Sequence, residues 1–178
     1  MEIEEQRELA DAAKKGDPDA WERLYRYVYP RLRAYAVARV GASTAEDMVN
    51  ETMARAVAGI GKFRWSGGGF DAWLFGILRH VCLEHHRKSR SVDPSRFTEI
   101  CINYAEPGEA LELEADVEAI RRAFANLEES DREILALRLI SGLPSEEVAR
   151  LVGKSAGAVR TAQSRALASL RALVRLEQ

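Results

Sequence analysis

The stretch Glu146-Glu147-Val148-Ala149-Arg150-Leu151-Val152-Gly153-Lys154-Ser155-Ala156-Gly157-Ala158-Val159-Arg160 predicts a helix, a glycine turn and a second, capped helix. From Lys154 to Arg175 the charged side chains are Lys154, Arg160, Arg165, Arg171 and Arg175, with no acid until Glu177. A short scaffold helix, a tight turn and a cationic helix form the arrangement that lays a helix into the DNA major groove. That pattern points towards recognition of nucleic acid and away from catalysis.

A formal net charge of −2 over 178 residues sits awkwardly with that reading, because a basic domain is the usual footprint of a DNA binder. Splitting the chain removes the difficulty. Residues 1–88 carry 14 basic and 13 acidic side chains, residues 89–116 carry 2 and 7, and residues 117–178 carry 10 and 8. The negative charge lies mainly in the middle segment, and the C-terminal cations gather on one helix. Global charge is therefore a poor guide to the partner. No apolar run reaches the ~18 residues of a membrane span, and the acidic start at Glu2, Glu4 and Glu5 is unlike a signal peptide, so no membrane insertion is expected. Cys82 and Cys101 do not make a disulfide framework, which places the chain by default in a reducing cytoplasm.

The periodicity predicts an all-α protein of two small helical domains joined by a linker, the C-terminal one a helix-turn-helix. Residues 5–90 form the first unit, 91–116 an acidic linker and 117–176 the second unit. Ala20-Trp21, Leu24-Tyr25, Val28 and Leu32 recur at helical spacing, with Pro30 expected to kink or divide that helix. Gly41 ends the segment. Ser43-Thr44-Ala45-Glu46 then reads as a capping box, opening a helix with Val49, Met53, Ala56-Val57 and Ile60 on one face. Trp65-Ser66-Gly67-Gly68-Gly69 breaks the pattern before a third helix, with Trp73-Leu74, Ile77-Leu78 and Val81 inward. In the second unit Ser130-Asp131-Arg132-Glu133 is another capping box, and Ser155 is the N-cap of the cationic helix.

Three segments resemble the extracytoplasmic-function (ECF) sigma factors of bacterial RNA polymerase. They are Ala45 to Ala56 (Ala45-Glu46-Asp47-Met48-Val49-Asn50-Glu51-Thr52), Ala72 to Ser89 (Ala72-Trp73-Leu74-Phe75-Gly76-Ile77-Leu78-Arg79-His80), and Leu137 to Ala162. One match alone would be modest, since helix-turn-helix patterns occur in many regulators; three in the family's order and separation are specific. The resemblance implies that Asp47, Asn50 and Glu51 dock on the clamp helices of the polymerase largest subunit; the polymerase flap is a further implied partner of the chain. Asn50 stands where the family usually has Gln. The alternative for these three is a solvated acidic face.

The resemblance also assigns the minus-ten promoter element to the Trp65–Phe70 loop and the helix after it. Trp65 offers a stacking face for an exposed base, and Gly67 and Gly68 let backbone approach a nucleotide closely. The other reading is a turn with Trp65 packed as a lid; Phe70 and Trp73 read as core. His80 stands where the family commonly has an Asn that reads a base, so base preference there is expected to differ. Arg79, Arg87, Lys88 and Arg90 are candidates for phosphate contacts. The minus-thirty-five element falls to Ser155, Arg160, Thr161, Ser164 and Arg165, with Val159, Ala166, Leu167 and Leu170 inward. Ala162, Gln163 and Ser164 depart from the family's pattern, which predicts fewer backbone contacts.

His80, Cys82, His85 and His86 lie at spacings that could turn two or three of them to one metal, yet a closed site needs a further ligand that this stretch does not supply. No metal, cofactor or catalytic constellation is expected. The implied partners are core polymerase, promoter DNA and an anti-sigma protein. Two other readings stay open at this point: a stand-alone operator-binding dimer, and a metal- or redox-sensing interaction protein centred on Cys82. The acidic linker is expected to discourage DNA binding by the free chain.

Overall fold

Gln6, Leu9, Ala10 and Ala13 follow the i, i+3, i+4, i+7 pattern of one helix face, and all four are buried in the first helix, α1 (Ile3–Lys14). The structure, a computed structural model, describes residues 1–88 and 127–175, and helices are numbered along those residues. Asp17 then caps α2 (Pro18–Val40): its carboxylate accepts from the amides of Asp19 at 2.9 Å and Ala20 at 3.3 Å, with Pro18 at the first helical position. Ala20, Leu24, Val28 and Leu32, four apart, are buried along its length. The helix runs on through Pro30 rather than dividing there. The missing N–H costs one backbone bond at an exposed position, and the buried face on either side outweighs it.

Gly41, at φ +85°, ends α2 and starts α3 (Ala42–Gly59) within one residue. The expected capping box does not form. Gly41 occupies the cap position and its carbonyl accepts from Ala45 N at 3.0 Å, while Glu46 accepts from the Tyr29 hydroxyl at 2.9 Å instead. Val49 and Ala56 are buried as predicted. Val57 is not: it is 54% exposed, because one residue past Ala56 it is rotated about 100° round the helix from the face that Val49 and Ala56 share. A short 3-10 turn, Ile60–Lys62, leads to the loop before α4 (Gly69–Lys88). Helix α2 touches α1, α3 and α4, and Leu24, Leu32, Tyr35, Leu74, Phe75 and Leu78 fill the space between them.

The second unit comprises α5 (Glu129–Leu139), α6 (Ser145–Val152) and α7 (Ala156–Arg175) around Ile134, Leu135, Leu137, Val148, Val159 and Ala166. Here too the expected capping box at Ser130 is absent: Glu128 holds the cap position without a side-chain bond, and Glu133 is engaged elsewhere. The helix-turn-helix does form. Gly153 closes α6 in the left-handed conformation at φ +69°, with Lys154 N reaching Ala149 O at 3.0 Å. Ser155 Oγ accepts from Ala158 N at 3.1 Å and caps α7. No strand occurs among the described residues. The expected linker at 91–116, the start of the second unit near 117, Arg90 and Cys101 lie outside them.

Candidate nucleic-acid and polymerase interfaces

Helix α3 presents Asp47, Asn50 and Glu51 on its exposed side, because the buried residues Ala45, Val49, Thr52 and Ala56 claim the opposite one. Glu51 is tied to Arg55 at 2.7 Å, and Arg55 also forks onto Glu84 of α4 at 3.1 and 2.8 Å. These bonds push the Arg55 pKa up, chiefly through Glu84, and hold that of Glu84 down. Asp47 and Asn50 carry no such tie among the described contacts. The exposed Val57 adds an apolar surface one to two turns further along.

The loop before α4 is shaped by aromatic packing. Phe63 meets Phe70 edge-on at 5.7 Å between ring centroids and Trp73 at 5.0 Å, while Trp65 leans on Phe63 at 6.1 Å. Phe70 is buried, as expected of core; Trp65 and Trp73 are half-buried. Arg7 of α1 lies over the Trp65 ring at 6.0 Å. Two of the three glycines are required for different reasons. Gly69 needs its φ of +61° and would set a Cβ 2.8 Å from Gln6 Oε1; a Cβ on Gly68 would lie 2.6 Å from the side chain of Glu147. The close approach expected of a nucleotide at this loop is taken by a carboxylate-bearing side chain from α6.

That contact belongs to a larger seam. Arg79 of α4 grips Glu133 of α5 through two of its nitrogens, Nε at 3.0 Å and Nη2 at 3.3 Å. Arg39 of α2 pairs with Glu129 at 2.5 Å, and Arg31 donates to the Ser141 carbonyl at 3.0 Å while pairing with Asp71 at 2.8 Å. Glu147, buried beneath the glycine loop, is paired with Arg150 of its own helix. Acids of the second unit thus cover part of the basic face of the first, a pairing that the sequence pattern does not show: Glu133 reads there only as part of a capping box. The one available signal was Glu147 itself, four residues before Leu151 and beside Val148, next to an apolar stripe.

Other residues of α4 remain open. His80 is exposed and its Nδ1 lies 2.8 Å from the Gly76 carbonyl; a carbonyl only accepts, so Nδ1 is the donor and Nε2 is the ring nitrogen turned away from the helix backbone. Arg87 and Lys88 are exposed at the helix end, where cations suit the dipole. Cys82 is buried, and burial pushes its thiol up to about 12. His86 is half-buried with its pKa lowered, chiefly by desolvation. Among the described residues no three His, Cys, Asp or Glu side chains converge as a metal site.

On α7, Arg160, Thr161, Ser164 and Arg165 are exposed while Val159, Ala162 and Ala166 are buried. Ala162 faces the core, so its small size follows from packing. Gln163 accepts from Arg138 Nε at 2.9 Å, and Arg138 also donates to the Leu143 carbonyl. Arg160 pairs with Glu146 at 3.1 Å. Arg165 forks onto Asp131 of α5, Nε to Oδ2 at 2.9 Å and Nη2 to Oδ1 at 2.7 Å.

Residues 24–92 match the family described as Sigma-70 region 2, and residues 117–170 the family described as Sigma-70, region 4. Those two regions, in that order on an all-helical chain, define a sigma-70-type protein of transcription initiation. The chain is 35% identical over 175 residues to the ECF RNA polymerase sigma factor BldN of Streptomyces coelicolor, covering 94% of this chain and 65% of BldN. It is 31% identical to the ECF sigma factor ShbA of Streptomyces griseus, covering 93% of each, and 35% identical to EcfG of Rhodopseudomonas palustris, covering 82% and 80%. The chain belongs to the ECF family of RNA polymerase sigma factors. Among solved structures, RpoE in complex with the anti-sigma factor NepR from Bartonella quintana superposes with a TM-score of 0.65 at 26% identity, over 89% of this chain and 98% of that one. CnrH in complex with the cytosolic domain of CnrY shares the fold at a TM-score of 0.70 and 23% identity, over 98% and 99%. No helix among the described residues is long and apolar enough to cross a membrane.

Proposed function

We propose that this sigma factor works as two readers on one chain, residues 5–90 and 117–176, joined by the acidic segment 91–116. The first docks on core polymerase through Asp47, Asn50 and Glu51 and handles the melted minus-ten strand with Trp65, Gly67, Gly68, Arg79, His80, Arg87, Lys88 and Arg90. The second reads the minus-thirty-five duplex with Ser155, Arg160, Thr161, Ser164 and Arg165. The single observation that carries this reading is α7: a capped helix behind a glycine turn, buried on one side and polar and cationic on the other. The chain itself catalyses nothing; the polymerase does the chemistry, which places the protein with polymerase in the cytoplasm. An anti-sigma protein is its expected restraint, supported by the fold shared with RpoE, whose structure holds one.

The seam between the units supports a further part of the same reading. Arg79 is held by Glu133, and Gly68 lies under Glu147, so the units must part before this loop meets DNA. Docking both on polymerase would separate them and set the spacing at which two weak contacts reinforce each other. In vitro transcription with bacterial core polymerase and a genomic promoter pool tests the proposal. Initiation should depend on the added protein and drop with Arg165→Ala; an unchanged transcript profile on adding the wild-type chain refutes it.

A further inference from the structure

Asp131 is a carboxylate 5% exposed, and Arg165 is 59% exposed. A buried carboxylate demands a partner, and Asp131 sits in the first turn of α5, where the helix dipole favours its charge. Its partner approaches side-on: Nε and Nη2 both face the carboxylate, with Nη2 also 2.7 Å from Oδ2. That geometry leaves the end-on edge, Nη1 and the outer hydrogen of Nη2, pointing away from Asp131. The end-on edge is the fork that matches O6 and N7 of guanine. Arg160, by contrast, pairs with Glu146, and both side chains are more than half exposed, so that pair exchanges freely with water.

We propose that Asp131 is a positioning residue that sets base specificity: it holds Arg165 side-on, so that the free edge of the guanidinium reads a guanine in the upstream promoter duplex. Two physical consequences follow. An arginine already fixed by folding loses little rotamer freedom on binding, and a neutralised arginine is a weaker phosphate clamp but an equally directional donor to a base edge. The inference rests on α7 being the helix that enters the duplex.

The test uses holoenzyme assembled from the full chain and core polymerase. Its templates are a promoter selected by the wild-type holoenzyme and all single base-pair substitutions across its upstream element. Arg165→Ala and Asp131→Asn should each flatten discrimination at the same base pair by about tenfold, leaving the other positions ranked as before. The double variant should be no flatter than Arg165→Ala alone. A uniform loss across all templates with Asp131→Asn, or effects that add in the double variant, overturns the positioning role. Should Arg165→Ala flatten no position, the reading of α7 fails with it; should only Arg165→Ala flatten one, the role of Asp131 fails alone. Arg165→Lys keeps the charge and the pair but lacks the fork, so it tests the same edge if Asp131→Asn folds poorly; full discrimination with lysine also refutes the proposal.

Discussion

Replacing Glu133 by Gln removes the charge that holds Arg79 while leaving Arg79 itself in place. The two side chains are 13% and 17% exposed, between a surface pair, worth at most about 1 kcal/mol, and a fully buried one, whose breaking costs about 3–5 kcal/mol. The two contacts at 3.0 and 3.3 Å form a fork of ordinary rather than short length, which favours the lower half of that range. About 1–2 kcal/mol is the expected loss, or roughly a 5- to 30-fold shift of the closed arrangement towards an open one. Because Glu133→Gln also frees a cation, the polymerase-free protein should bind a forked minus-ten DNA more tightly, by up to that factor, in fluorescence anisotropy. Small-angle scattering should show a larger radius of gyration with the same helical content. Unchanged DNA affinity and unchanged dimensions would mean that the seam does not occlude the loop in solution. Gln with lower helicity would mean instead that Glu133 supports α5.

Gly69→Ala combines a positive φ with the close Gln6 contact and should cost about 1–2 kcal/mol or more, read as a lowered melting temperature, whereas the exposed Gly61→Ala should be nearly neutral. The Cys82 thiol has a folded pKa of about 12 against an ordinary 9.0. Between those values the folded chain keeps a proton that the unfolded chain has lost, so stability should fall as pH rises from about 9 towards 12 in urea titrations. A Cys82→Ala variant should lack that part of the decline. His80→Asn replaces a single outward ring nitrogen by an amide that both donates and accepts, and should shift preference at one minus-ten position in transcription from base-substituted promoters without changing polymerase affinity.

What was legible in the sequence was what local chemistry decides. The turn at Gly153 and the cap at Ser155 depend on residues within one helical turn, and both stand where the pattern places them. The inward faces of α2 and α4 follow from spacing alone. The capping boxes at Ser43 and Ser130 failed for a shared reason: each glutamate has a better, non-local partner, Tyr29 for Glu46 and Arg79 for Glu133. Pairings such as Arg79 with Glu133, 54 residues apart, or Arg165 with Asp131, 34 apart, leave no trace in periodicity. The cations were visible as candidates; what restrains them was not. Val57 falls with Val49, Met53 and Ala56 in the apolar pattern yet is exposed, since single apolar residues are common on protein surfaces.

The aromatic knot around Phe63 has a practical corollary. All three tryptophans of the chain, Trp21, Trp65 and Trp73, belong to the first unit, and Trp21 and Trp73 both abut Phe70. Tryptophan emission therefore originates in that unit alone, none of it in α5, α6 or α7. Trp65, beside the glycine loop, gives the protein a built-in optical sensor: strand capture at the loop should change its quenching without any attached dye.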